Sequence, residues 1–498
     1  MDLGKRQRDY AVYLPAISSF YTKQLDKICN KKKADSRVPA GFEHGNEGLD
    51  FLKADDTYYH YPYGLYSAGH AHLDINKSHA DEPMIQERDR NTVKVILGDS
   101  GGFQIATGVM KMDWANAKDP NDPARTAICE KILRWLEHTA DWSMTLDIPA
   151  FAAVEPLSKK TGLTEFSDTL DISLLNLDYF VRNRVPGATK FLNVLSGTDE
   201  ATSKEWYEAV KCFSEPGFCA EGYGDASRAL EGYAFAGINM KDLSCVLNRV
   251  LDLRADGLLE GKDWIHFLGT SALEPAVMLT AIKRQLQKVN PNLEVSFDSA
   301  SAFVSVARGL VYTQNEFDQM RKNRRFGFTM DKAKDNKKYA GSTEPYNKIR
   351  PGEYDLDINN TPVMNCYTEG DICCRGVDYE SKTSWDSLSY VLLMAHNVYQ
   401  HIEAVQEANR RTDNKDVKSI PENVLEFVDL TERVFASENP MDLIEKNSSL
   451  LNRLSKAKFT GAPRTTTFDS IVEEVPALVQ KEKKVVQETA SNFANLFD

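Results

Sequence analysis

Long hydrophobic runs are missing: nowhere in the 498 residues does an apolar stretch approach the ~18 needed to span a membrane as a helix. The reading therefore assigns no membrane partner. Positive charge is in deficit as well. Lys and Arg number 60 against 73 Asp and Glu, a formal net charge of -13. That balance argues against a broad, non-specific polyanion binder and leaves room for a local basic patch. Cysteine is scarce and unevenly spaced, eight in all, which fits thiols or a metal site in a reducing compartment better than a disulfide framework. The opening residues MDLGKRQRDYAVYLPAISS carry charges but no apolar segment of the secretory kind, so the expected location is the cytoplasm. No fixed-period repeat or low-complexity tract is present, which argues against solenoids and propellers. What is there suits a large core: 42% hydrophobic and 27% charged residues exclude a disordered or collagen-like chain.

A short apolar run, a polar loop and a helical pattern recur along the chain. The strand candidates are 94–98, 142–148, 190–197, 232–238, 264–271 and 293–300. They are near-continuously apolar, as strands buried on both faces of a parallel sheet must be. Amphipathic stretches at 128–140, 173–183, 205–213, 243–253 and 274–289 suit crossover helices. This alternation predicts an α/β fold, either a (β/α)8 barrel or a doubly wound sheet. The barrel is favoured because Asp99, Asp147, Ser196, Gly197, Gly237, Gly269, Thr270 and Asp298 stand at strand ends, which a barrel gathers on one face. For each Asp taken singly, capping of the next helix is the plainer reading.

The sharpest local signal is GDSGGFQ at 98–104. GDSGG also surrounds the serine of trypsin-like proteases. Those are all-β, disulfide-bonded secreted domains with proline after the motif, whereas Phe103 and Gln104 follow here within an α/β pattern. Asp99-Ser100-Gly101-Gly102-Phe103-Gln104 after the strand VKVIL resembles the DSGGFQ signature of the tRNA-guanine transglycosylase superfamily. Further stations follow in that family's order over about residues 92–405: Asp147 in MTLDIPA, FLNVLSG, GYAFAGIN, WIHFLGT and Asp298 in SFDSA.

The resemblance implies a TIM-like (β/α)8 barrel with an inserted zinc-binding subdomain and a helical C-terminal extension. The expected divisions are a catalytic barrel at 1–355 carrying a basic loop at 320–350, a zinc subdomain and long helix at 356–411, and the extension at 412–498. It also implies a structural Zn2+ held by Cys366, Cys373, Cys374 and His396, which is followed by Asn397. The spacing departs from the family's tighter pattern, and adjacent Cys373 and Cys374 strain a shared site, so Asp371 or His401 stands as a replacement ligand. Taken alone, these residues read equally as buried thiols and a core histidine. The loop at 320–350 holds ten Lys/Arg against three Asp/Glu, with Phe326, Phe328, Tyr339 and Tyr346 among them. Basic residues with aromatics suit phosphate contact and base stacking, and a solvated loop is the alternative. A long helix is expected at 384–411, with Leu388, Leu392, Ala395, Tyr399 and Ile402 on one stripe.

By the same resemblance Asp298 is the nucleophile and Asp99 manages the proton of the departing and incoming bases. Asp147 accepts from a guanine-like edge, Phe103 stacks, and Ser100, Gln104, Ser196, Gly197 and Gly237 complete the base contacts. The activity implied is a pentosyltransferase exchange of a nucleic-acid guanine for a free 7-deazaguanine base. Ser196 stands where the family has glutamine. Together with the altered cysteine spacing and the C-terminal addition, it resembles the DpdA-type DNA deazaguanine transglycosylases of phages and bacteria. DNA is thus favoured over tRNA, with 7-cyano-7-deazaguanine or a relative as incoming base and the host cytoplasm as location if phage-encoded. A tRNA-directed enzyme and a non-catalytic nucleic-acid-binding subunit are the alternatives, and a homodimer is left open.

Overall fold

The computed structural model describes residues 7–29, 36–37, 48–86, 94–316, 327–346 and 361–458. Its main sheet is built from β1 (Val12–Pro15), β2 (Tyr63–Ser67), β3 (Val95–Asp99), β4 (Trp142–Met144), β5 (Lys190–Leu195), β6 (Gly232–Phe235), β7 (Trp264–Phe267) and β8 (Glu294–Ser299). The strand order is β1-β8-β7-β6-β5-β4-β3-β2. A further parallel bridge, Ala16 with Leu65, joins the two edge strands. The fold is a nearly closed, eight-stranded parallel α/β barrel with helices between successive strands, and not an open doubly wound sheet. β9 (Leu310–Glu316) and β10 (Gly327–Lys332) form a separate antiparallel hairpin. β1 and β2 were absent from the sequence reading, and β4 is shorter than the expected 142–148, although the Thr145 amide still donates to the Leu192 carbonyl at 3.1 Å. Among the described residues no helix is long and apolar enough to cross a membrane.

The chain divides into two compact units. The first comprises Met1–Asp99, His138–Trp142 and Leu259–Leu443, and holds β7, β8, β1, β2 and β3 side by side. Parallel pairing sets Leu14 opposite Asp298 and Ser67 opposite Asp99, so both aspartates stand at the carboxyl ends of their strands on one edge, with β1 and β2 between them. The helix Ser387–Asp413 begins where the Asp386 carboxylate accepts from the Ser389 amide, and it is buried on nearly every side rather than along one stripe. Its buried positions run round the helix and include the polar His396, Asn397, Gln400 and His401, so it lies inside the fold by virtue of its partners and not of an apolar surface. Here His401 stacks on Tyr13 of β1 at 4.1 Å, and the Tyr59 hydroxyl donates to the Ala395 carbonyl.

The second unit comprises Ser100–Glu137, Ser143–Leu258 and Ile444–Asp498, within which residues 459–498 lie outside the described part. Its β5 and β6 pair in parallel, Leu192 with Gly232 through Leu195 with Phe235. Local capping sets where the helices start. Asp199 and Thr202 form a capping box ahead of Glu200–Val210, and Asp242 accepts from the amides of Ser244 and Cys245 at the head of Leu243–Ala255. Such caps are worth about 1 kcal/mol each. The helix Ser448–Lys458 docks here, the Ser455 hydroxyl accepting from the Leu243 amide at 2.9 Å. Of the stretch 412–498, the described residues form the helices Glu422–Ala436, Pro440–Lys446 and Ser448–Lys458.

Candidate active site

In the first unit the side chain of Asp298 does not cap a helix. Its Oδ1 accepts from the Gly269 amide at 2.7 Å and lies 3.2 Å from His266 Nε2. The second residue of each strand step returns to the same face, so His266 on β7 and Ser296 and Asp298 on β8 line one side of the sheet. The Ser296 hydroxyl lies 2.8 Å from His266 Nδ1 and 2.6 Å from Trp264 Nε1. Trp264 in turn packs against Trp142, ring centroids 4.5 Å apart. His266 is fully buried, whereas the Asp298 side chain keeps 13% of its surface open. A carboxylate held from behind and open in front has the form of a nucleophile or proton acceptor. Both described side-chain bonds fall on Oδ1, and neither is directed to Oδ2. Gly269 delivers its amide from a left-handed backbone, φ 64°, which L side chains rarely adopt.

Asp99 closes β3 on the same edge, its carbonyl accepting from the Ala68 amide at 2.8 Å. Downstream of it the strand gives way to the one-turn helix Gly102–Ala106.

In the second unit the DSGGFQ turn is built around a close approach. A Cβ at Gly102 would stand 2.4 Å from the Asp147 carbonyl oxygen and 3.2 Å from its Oδ1. Only glycine lets the turn lie against the segment after β4 that carries Asp147. Ser100 is buried and its hydroxyl donates to the Thr145 carbonyl at 3.1 Å, so this hydroxyl is engaged in seating the turn. Gln104 is buried beside it, while the Phe103 ring is 45% exposed and meets Phe151 edge-on, centroids 5.8 Å apart. An exposed ring at a glycine-rich turn is a surface on which a flat base can lie. The ends of β5 and β6 interlock in the same way. Gly237, at φ 58°, would drive a Cβ to 2.4 Å from the Gly197 carbonyl, which accepts from the Ile238 amide. Asn239 donates to the Ser196 carbonyl and accepts from Ser203, which fixes this corner.

The expected metal ligands do not form a ligand set. His396 is buried with Nε2 facing the Tyr312 carbonyl at 2.9 Å and Nδ1 facing the Thr361 hydroxyl at 3.0 Å, so neither nitrogen is left to bind a cation. Burial pushes its pKa down to about 4. The three thiols turn to three separate carbonyls: Cys366 to Pro362, Cys373 to Lys334 and Cys374 to Ser384. Asp371 receives the Thr368 amide and hydroxyl, and His401 is the ring stacked on Tyr13. Among the described residues no group of three or more His, Cys, Asp or Glu is placed to hold a metal. Asn397, the partner of His396 in the expected motif, instead clamps chain ends, accepting from the Tyr312 amide and donating to the Ala302 carbonyl.

Of the basic loop, 320–326 and 347–350 lie outside the described residues, and so does the side chain of Phe328. In the remainder Lys334 pairs with Glu369, and Tyr346 is buried and thus part of the core rather than a stacking surface.

Sequence reasoning passed over His266, Ser296 and Trp264, because each sits within a run that reads simply as buried strand. The available signal was polar residues recurring at every second position across two neighbouring strands. In comparison with known proteins, the sequence matches no family model and no curated protein.

Proposed function

We propose that the chain is a base-exchanging transglycosylase acting on nucleic acid, replacing guanine in DNA with a 7-deazaguanine base such as 7-cyano-7-deazaguanine. The observation that carries this reading is the Asp298 centre: a partly open carboxylate tied back through Oδ1 by His266 and Gly269 at the carboxyl edge of a parallel barrel. The second support is the resemblance of DSGGFQ and its accompanying motifs.

In the proposed reaction Asp298 Oδ2 bonds to C1′ of the target nucleotide as the C1′–N9 bond breaks. The two bonding electrons leave with guanine, and Asp99 supplies the proton that neutralises it. N9 of the incoming base then attacks C1′, its proton passing to Asp99, and the ester bond to Asp298 breaks. Two displacements at one carbon retain configuration, and a covalent intermediate divides one difficult step into two. The base must leave its stack to be reached. Phe103 supplies a stacking face and Asp147 accepts from the guanine edge, with Gln104 and the backbone at Ser196, Gly197 and Gly237 as further contacts. Ser100 supports the turn.

Incubation with radiolabelled guanine, offering double-stranded DNA and bulk tRNA in parallel, tests the reading. Label in DNA that is lost in Asp298→Ala supports it. Label in tRNA alone moves the activity to tRNA, and binding without label in either makes the chain a nucleic-acid-binding subunit.

A further inference from the structure

We infer that His266 is the positioning residue of the Asp298 nucleophile, donating from Nε2 and accepting at Nδ1, and that Trp264 and Ser296 impose that tautomer. The inference rests on the transglycosylase reading and adds residues to it.

An indole N–H can only donate, so at 2.6 Å Trp264 Nε1 gives its proton to Ser296 Oγ. The hydroxyl has one proton of its own, and its other described partner is His266 Nδ1 at 2.8 Å. Nδ1 therefore accepts, and the imidazole proton resides on Nε2. That nitrogen faces Asp298 Oδ1 at 3.2 Å and donates to it. The opposite tautomer fails at both ends: it sets a nitrogen lone pair against a carboxylate oxygen and gives the serine proton no described acceptor. His266 and Ser296 are both fully buried.

The consequence is directional. With the Gly269 amide, His266 places two donors on Oδ1 and fixes the carboxylate plane, so Oδ2 meets C1′ without a search through rotamers. The same donors stabilise the carboxylate as it departs from C1′ in the second displacement. His266 touches neither base nor sugar in this scheme and acts through Asp298. Partners of this kind typically change activity about 10–100-fold on mutation.

The test uses the full chain in three variants. His266→Leu is expected to lower kcat for guanine exchange into DNA by about 10–100-fold with KM for DNA little changed. His266→Gln, whose amide can still donate, is expected to restore part of that loss. Ser296→Ala, a smaller change, is expected to lower kcat and to reduce the Nε2-protonated population seen in the 15N spectrum of His266. A His266→Leu enzyme that folds and exchanges at the wild-type rate overturns the positioning role, and so does an Nδ1-protonated ring in the wild type. If the wild-type chain exchanges no base in any nucleic acid, the transglycosylase reading fails and the role with it, whereas the tautomer is decided by the 15N spectrum alone.

Discussion

His266 on β7 and Asp298 on β8 face each other across two adjacent parallel strands, with Nε2 3.2 Å from Oδ1. The register that brings them together sets His266 opposite Ser296, and the two-residue step along β8 then carries the next inward side chain to Asp298. Strand pairing alone thus assembles the chain from Trp264 through Ser296 and His266 to Asp298, and no loop has to order for it to exist.

The turn at Gly102 makes a first prediction. Gly102→Ala sets a methyl group against the Asp147 carbonyl, a backbone atom that cannot swing aside. Overpacking of this sort costs about 1–3 kcal/mol. Urea denaturation should show that loss with an unchanged slope, and the variant should also lose activity because the turn shifts against Asp147. Unaltered stability contradicts the tight seating of the turn.

Phe103 makes the converse prediction. Its ring is largely exposed, so Phe103→Ala should change stability by less than about 0.5 kcal/mol. Stacking of a base on an aromatic ring is worth about 1–3 kcal/mol, so KM for the free base should rise about tenfold or more. Isothermal denaturation and initial rates measured on the same preparation separate the two effects.

A pH dependence follows from Glu274 in the first turn of the helix Leu273–Val289. Burial pushes its carboxyl up to about 7, well above the usual carboxylate range. The folded chain therefore holds this proton more tightly than the unfolded chain. Its contribution to stability is full below about pH 4.5 and is lost as pH rises through about 7. The loss amounts to at most about 3 kcal/mol. Glu274→Gln should flatten the stability curve between pH 5 and 8, which urea titrations at a series of pH values can check. An equally steep curve in the variant assigns the dependence to another group.

Metal content is a fourth test. With His396 spent on Thr361 and Tyr312 and the three thiols directed to separate carbonyls, the purified protein should carry well under one zinc per chain. Chelator should leave its melting temperature unchanged. One tightly held zinc per chain, with melting lowered by chelation, contradicts these hydrogen bonds.

The barrel was legible because β3, β5, β6 and β7 are largely apolar runs, the pattern that burial on both faces demands, while β8 alternates Val295 and Phe297 with Ser296 and Asp298. β1 and β2 were not. VYLP is too short to stand out, and YGLYS lies in a tyrosine-rich stretch whose hydroxyls read as polar, although Tyr61 and Tyr66 are buried and bonded to Tyr13 and Glu82. The helix Ser387–Asp413 was legible in extent but not in burial, because His396, Asn397 and His401 look like surface or ligand residues until their partners are seen. Cysteine and histidine spacing suggested a metal for the same reason. Spacing along a chain does not say which way a thiol points. Asp298 was legible from its motif, but the residues that hold it were hidden by the core-like character of their strands.

The measurement that bears most directly on the whole account is transfer of radiolabelled guanine into double-stranded DNA by the intact protein, with Asp298→Ala in parallel. Label is expected in DNA with the wild type, with a loss of at least about 10³-fold in the variant and DNA binding retained. Equal incorporation by both proteins contradicts the role of Asp298 as nucleophile.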